Sequence, residues 1–419
     1  MINPILKKRA AVAYLQFVIK NARFLGFGIL LTFFGNFGQT YFISLFSVPI
    51  RAEYGLSHGD FGVLYSIATL SSAVCLIWAG RKIDDVDLRL YVLIVCVFYA
   101  VACFLVGGII VSIYALGIGL FLLRMTGQGL MGHTAMTSMA RTFNQDRGKA
   151  MSVASIGHPF GEAVLPSCAV ALLAAYGWQT TWQYTGVAIL VILIPGVLIL
   201  LRGDASRYRP QVKAGKAPQD ETIHSSKQWT RQEVIHDSRF YFIVPCALAA
   251  PLILTGLFFH QVHLADSKGW SLAWMASSFI GFAIATVVGS FTTGVLVDRH
   301  GSLSILPWYL SPLICGLVLL MFSDHPSAAM LYMIGGGLTT GASSITLTST
   351  WAEVYGTAHI GAIRALVSAS MVFSTALAPA IMGWFIDKGV PIEQIVLVCL
   401  LYIALSIGLI LSVLPRIRT

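Results

Sequence analysis

Apolar runs of about 20 residues, separated by short polar turns, recur along the chain from residue 24 to residue 414. A helix rises ~1.5 Å per residue, so each run is long enough to cross ~30 Å of hydrocarbon. The pattern predicts twelve spans, at 24–50, 60–80, 90–111, 113–141, 148–176, 181–201, 240–263, 272–297, 303–323, 327–351, 358–386 and 393–414. One long polar stretch, 203–238, interrupts them after the sixth and carries Arg207, Arg209, Lys213, Lys216, Pro210, Pro218, Asp220 and Glu221. It reads as a linker. The expected organisation is an all-α membrane protein with a tail at 1–23, a six-helix bundle at 24–202, the linker, a second six-helix bundle at 239–415 and a short tail at 416–419.

The two halves repeat each other. Gly80 and Asp84 recur 214 positions later as Gly294 and Asp298, and Gly148 and Pro166 recur 213 positions later as Gly361 and Pro379. A parallel repeat in so apolar a chain points to a transporter built from two related halves.

Composition agrees with the spans. With 57% hydrophobic and 11% charged residues and a mean hydropathy of +0.79, the chain has too little polar surface to cover a globule in water. The net charge of +9 follows topology rather than a nucleic-acid face. Of the 27 Lys and Arg, only Arg51, Lys268 and Lys388 fall in one set of alternate loops and Arg124 inside a span; all others sit in the N-terminus and every second connection after it. The positive-inside rule puts both termini in the cytoplasm, consistent with an even number of spans. No basic face on a soluble module is visible, so no nucleic-acid partner is expected. The first 23 residues, with Lys7, Lys8, Arg9, Lys20 and Arg23, lack the small-residue cleavage site of a leader and are expected to lie as an amphipathic helix on anionic lipid. The seven cysteines show no Cys-x-x-Cys or metal spacing and read as small core hydrophobes.

The repeated loop resembles the signature of the major facilitator superfamily, Gly-x-x-x-Asp-(Arg/Lys)-x-Gly-(Arg/Lys)-(Arg/Lys). Gly80, Asp84 and Arg89 fit the first copy, with Asp85 and Asp87 where a base and a glycine are usual; Gly294, Asp298, Arg299 and Gly301 fit the second, which lacks the trailing basic pair. The resemblance implies the twelve-helix fold of that superfamily and a gating role for Asp84, Arg89, Asp298 and Arg299. An aspartate at a helix end facing a neighbouring N-terminus and arginine is stabilised there on physical grounds too. Phe143-Asn-Gln-Asp-Arg-Gly-Lys-Ala-Met and Gly177-Trp-Gln-Thr-Thr-Trp182 resemble segments of organic-anion facilitators, the monocarboxylate and oxalate/formate groups among them. The acidic-aromatic signature and the span-eight arginine of the monocarboxylate carriers are absent, since 272–297 holds no ionisable residue.

Charge inside a membrane costs at least ~2.5 kcal/mol on insertion scales, which makes each such residue a functional candidate. Arg124 lies in span four and Glu162 in span five, with His133 and His158 on the same two helices. Arg124 is 20 residues before the turn at Asn144 and Glu162 is 18 after it, so their heights differ by only ~3 Å. Two readings follow. In one, Arg124 clamps a substrate carboxylate or phosphate and Glu162, with His158 one turn away and His133, carries the coupling proton; in the other, Arg124 and Glu162 pair only to pack two helices.

Neutral polar groups complete the candidate site: Asn36, Gln39 and Thr40 in span one, Gln128 beside Arg124, and Thr340 and Ser344 in span ten, where hydroxyls and glycines also serve close helix packing. In span seven Pro245, Pro251 and Gly256 suit a helix that bends. His260 and His263 at its outer end have only Asp266 close by, so no metal site is expected. No nucleotide-binding motif or catalytic constellation appears. The sequence therefore predicts no enzyme and no cofactor, but a secondary transporter of a small organic anion by alternating access, with proton symport or anion exchange, acting as a monomer in the bacterial inner membrane. The alternatives are a proton-coupled exporter of cationic or amphiphilic compounds, in which Glu162 meets the cargo, and a non-transporting sensor.

Overall fold

The structure, a computed structural model, describes residues 13–143, 145–202 and 228–418. Residues 1–12 of the expected tail and 203–227 of the expected linker, with Arg207, Arg209, Lys213 and Lys216, lie outside the described residues. Among the described residues all regular structure is helical. Eight helices are long and apolar enough to cross a membrane, and the pair Ala13–Lys20 and Ala22–Gly38, bent by 79°, makes a ninth.

These helices carry ten of the twelve expected spans, and spans nine and ten fall on two further helices. The stretch Arg147–Leu200 holds two, because Gly177 leaves the helical region at φ 77, ψ 169 and separates span five from span six. Only glycine adopts that conformation without strain. Span nine is the short apolar helix Ser311–Phe322. Span ten, Ser327–Tyr355, owes its lower hydropathy to Gly, Ser and Thr, and the reason for those residues is packing. A Cβ on Gly337 would meet the Phe282 carbonyl, and one on Gly341 would come within 2.6 Å of the Ser290 nitrogen, so the backbones of spans eight and ten touch where only small residues fit.

Span one is not a continuous helix. Ala22–Phe34 passes into a 3-10 turn at Gly35–Gly38, then Thr40–Ile43, a second 3-10 turn at Ser44–Phe46 and Ser47–Tyr54. Span four is broken at a similar place: Ile113–Leu123 widens into a π-helix over Arg124–Met131 before resuming as Gly132–Thr142.

The chain divides into two packing units that differ from the two sequence halves. One takes in the described residues of 1–39, 71–161 and 176–215; the other joins 40–70 and 162–175 to the described residues of 216–419. Within the second unit, the far ends of spans one and two pack on the C-terminal helices: Ser44 Oγ donates to the Phe258 carbonyl at 2.7 Å, Gln261 Nε2 donates to the Tyr41 carbonyl at 2.6 Å, and a Cβ on Gly62 would lie 2.6 Å from the Pro379 carbonyl.

Candidate functional site

In the first unit the breaks in spans one and four face each other. A Cβ on Gly38 would stand 2.5 Å from the Leu123 carbonyl and 2.8 Å from Cα of Gly127, and one on Gly127 would stand 2.5 Å from the Tyr99 hydroxyl. Glycine at both positions lets the two backbones cross in contact, and the π-helical widening occurs at this crossing. Such widenings recur at functional sites. Arg124 opens the π-helix, is 2% exposed, and donates from Nη1 to the Gly38 carbonyl at 2.9 Å. Tyr99 donates its hydroxyl to the Phe34 carbonyl at 2.8 Å and closes the other side of the crossing. Gln128 is exposed and Gln39 half-buried.

Asn36 has a structural task. Fully buried, its Nδ2 donates to the carbonyls of Thr32, Phe33 and His158, tying span one to span five just after the latter's kink at Ile156. The half-buried His158 enters through its backbone carbonyl. His133 sits elsewhere: it is exposed, with Nε2 3.2 Å from the Gly80 carbonyl, and so joins the loop after span two rather than Arg124.

In the second unit, Glu162 is 8% exposed and Thr40 is 8% exposed. The Thr40 hydroxyl and the Tyr65 hydroxyl share a 2.7 Å hydrogen bond. Thr340 and Ser344 donate to carbonyls of their own helix, Gly336 and Gly341, each at 2.9 Å. Back-bonding of this kind satisfies a hydroxyl without a ligand.

The gating candidates separate into those that pair and those that form no ion pair among the described residues. Asp84 pairs with Arg141 of span four, whose Nη1 also donates to the Ile83 carbonyl at 3.1 Å. Arg141 was not singled out in the sequence, although a basic residue in the last turn of span four was the available signal. Arg89 does not join this pair. Its Nη2 donates to the Leu201 carbonyl at 2.6 Å, capping the end of span six. Asp87, the departure from the signature's glycine, accepts from the Arg89 nitrogen at 2.9 Å as the N-cap of Leu88–Val106. In the second copy Asp298 and Arg299 are exposed and form no ion pair among the described residues. Near this copy, Glu353 of span ten accepts from the backbone nitrogen and hydroxyl of Ser302 at 3.2 and 2.5 Å.

One cluster was only half visible in the sequence. His260 and His263 are joined by His58, whose ring centroid lies 5.8 Å from the first and 4.9 Å from the second. Arg51 and Ser47 line the same small enclosure. Sequence distance hid this, since 58 and 260 meet only through tertiary packing.

A chain of membrane-length helices, repeated in two halves and broken by glycines around a buried arginine, has the build of a multi-pass membrane transporter. The family model described as Major Facilitator Superfamily matches residues 27–379, and the chain belongs to that superfamily. Its structure is similar to that of the nucleoside transporter NupG, with a TM-score of 0.69 at 14% identity over 95% of this chain and 99% of that one. It is also similar to a bacterial homolog of the human lysosomal transporter Spinster in an inward-facing, unoccupied conformation, with a TM-score of 0.65 at 13% identity over 94% and 97% of the two chains. At these identities the likeness is one of fold. No curated protein matches the chain.

Proposed function

We propose that the chain is a secondary active transporter that moves a small organic anion, a carboxylate in the first instance, by alternating access, driven by proton symport or anion exchange. The observation that carries this reading is Arg124: a guanidinium 2% exposed, set at a π-helical break and donating to the Gly38 carbonyl. Arginine keeps its charge at any physiological pH and presents a fork that matches a carboxylate. A permanent charge at that depth is costly unless it has a task. On this reading Gln39 and Gln128 flank the clamp, Glu162 takes up the coupling proton, and Asp84 with Arg141 steadies the cytoplasmic gate. Asn36, His158, Thr340 and Ser344 support the helices that carry the site: Asn36, Thr340 and Ser344 donate to backbone carbonyls, and the His158 carbonyl is one of the acceptors of Asn36. Both termini face the cytoplasm of a bacterial inner membrane, and one copy suffices for transport.

The test is a thermal-shift screen of the purified protein against small carboxylates, phosphates, nucleosides, amines and lipophilic cations, repeated with Arg124→Gln. A ligand that binds only the folded state raises its melting temperature by mass action. Stabilisation by carboxylates that disappears in a folded Arg124→Gln protein, followed by uptake of the same compound into proteoliposomes, supports the anion clamp. Equal stabilisation of both proteins by cations supports the exporter reading instead, and ligand binding without flux in proteoliposomes supports a sensor.

A further inference from the structure

The second unit carries a group of titratable side chains that the proposed anion site does not use. His58 begins the helix His58–Arg81, while His260 and His263 follow the end of Ser238–Phe259. The three rings and Arg51 surround a space lined also by Ser47, Phe61 and Phe259 that does not admit a water molecule. His260 is 4% exposed, and its one ring hydrogen bond among the described residues runs from Nε2 to the Pro379 carbonyl at 2.9 Å. A carbonyl only accepts, so the neutral ring carries its proton on Nε2.

The charged groups around the rings come from three elements. Arg51 approaches from the end of span one, and its Nε is buried with no hydrogen-bond partner among the described residues. Burial lowers the pKa of Arg51 and Asp387 acts in the opposite direction. Asp387, at the end of span eleven, accepts from the backbone nitrogens of His58 at 2.9 Å and Gly59 at 2.7 Å. Its charge thus holds the N-terminus of the span-two helix. Asp266, on the same helix as His263, is exposed.

We propose that His58, His260 and His263 form a proton-binding site separate from Glu162, and that a proton there and the packed state of residues 40–62 on the C-terminal helices exclude one another. An imidazolium at His260 has a second N–H donor to satisfy and stands near a guanidinium beside a space too small for water, so its charge is poorly solvated, while the half-buried rings of His58 and His263 lose part of their hydration. Opening the packing wets the cluster and removes that penalty. The closed state therefore binds this proton more weakly than the open one. Closure is fully favoured above the ordinary imidazole pKa of about 6.5 and weakens as the pH falls below it. With the charge-derived topology the cluster faces outward, so external protons would open this gate. The inference rests on the transporter reading only in treating residues 40–62 as a gate, and its test needs no cargo.

The experiment uses the full chain in nanodiscs with Ser47→Cys, at the enclosure, and separately Glu53→Cys, which is exposed. Labelling by a hydrophilic thiol reagent is followed by peptide mass spectrometry between about pH 8 and about pH 5.5, the range in which histidine changes charge. The ratio of the rates at 47 and 53 cancels the chemistry of the reagent. It is expected to rise about fivefold or more toward acid, up to about tenfold per linked proton and pH unit, and to become flat in His58→Gln/His263→Gln. If that double variant is not monodisperse, His263→Gln alone is expected to reduce the rise by at least about half. A flat ratio with all three histidines present, or an unchanged rise without them, overturns the proton site. Carboxylate stabilisation that survives such a result leaves the anion reading standing, and a pH-dependent ratio without any anion binding leaves the proton site standing.

Discussion

The Gly38 carbonyl accepts a 2.9 Å hydrogen bond from Arg124 Nη1, so the backbone of span one takes part in positioning the buried guanidinium. That bond exists because span one breaks its helix at Gly35–Gly38 and span four widens opposite it. Position and break are therefore one feature, and disturbing the crossing disturbs the guanidinium.

Gly38→Ala tests this. Its Cβ would lie 2.5 Å from the Leu123 carbonyl, 2.7 Å from the Gln128 nitrogen and 2.8 Å from Cα of Gly127. All three are backbone atoms, which yield only by moving the helices apart. Overpacking of this kind costs about 1–3 kcal/mol. The expected outcome is a clearly lowered melting temperature and weakened carboxylate stabilisation. Gly148→Ala is the control, since nothing lies within 4 Å of its added Cβ; it should be neutral or gain up to about 1 kcal/mol from helix propensity. Equal effects of the two substitutions would show that the crossing is not tight.

The Asp84–Arg141 pair should matter more for turnover than for folding. The two side chains are 58% and 34% exposed, and pairs this open to solvent contribute about 1 kcal/mol or less. Asp84→Asn is thus expected to leave the melting temperature nearly unchanged while altering the initial uptake rate in proteoliposomes. Exchanging the charges, Asp84→Arg with Arg141→Asp, should recover part of the rate. A large fall in stability with unaltered turnover would mark the pair as structural.

What was legible in the sequence is what depends on local chemistry. Membrane-length apolar runs required helices, the 213 to 214 residue offsets required two related halves, and a charge at Arg124 stood out against hydrocarbon. Partner assignments were less legible, because they depend on which helices cross. Arg89 fits a gating motif by type and spacing yet caps span six through the Leu201 carbonyl. Thr340 and Ser344 share a helix face in sequence, but their hydroxyls bond to their own backbone. His58 lies far in sequence from His260 and His263, and only the packing of span two on the C-terminal helices brings them together.

The described end of the linker is docked, and its docking should be separable from the fold. The Trp229 nitrogen donates to the Tyr355 carbonyl at 3.1 Å, the Gln228 side chain accepts from the Ala358 nitrogen at 3.0 Å, and the Arg239 guanidinium stands 4.8 Å from the Trp229 ring centroid. A cation–π contact at a partly exposed site is worth about 0.5–1 kcal/mol. Trp229→Ala should speed limited proteolysis within 228–236 without unfolding the helices, and Arg239→Ala should do so to a smaller degree. Cleavage at the wild-type rate in both variants would show that these contacts do not hold the segment.

Lys268 gives a prediction whose pH dependence has a definite sign. Its side chain is 2% exposed, and Nζ donates to Asp324 at 2.8 Å and approaches Glu393 to 2.7 Å, joining the loop after span seven to spans nine and twelve. Burial works against the ammonium charge, but the hydrogen bonds to Asp324 and Glu393 outweigh it and hold the pKa above the ordinary lysine value. A group whose folded pKa is raised contributes stability fully below its unfolded pKa and loses it as pH rises through the folded one. The lysine's share is therefore constant from neutral pH up to about pH 10 and falls only in stronger alkali. Lys268→Met should lower the melting temperature, by less than the about 3–5 kcal/mol of a fully buried broken pair, because the Asp324 carboxylate is 78% exposed and rehydrates. The difference in stability between wild type and variant, measured from pH 7 to pH 11 in the same detergent, should be level and then narrow. A difference that narrows already between pH 7 and pH 9 would mean that Lys268 is not held above its ordinary value.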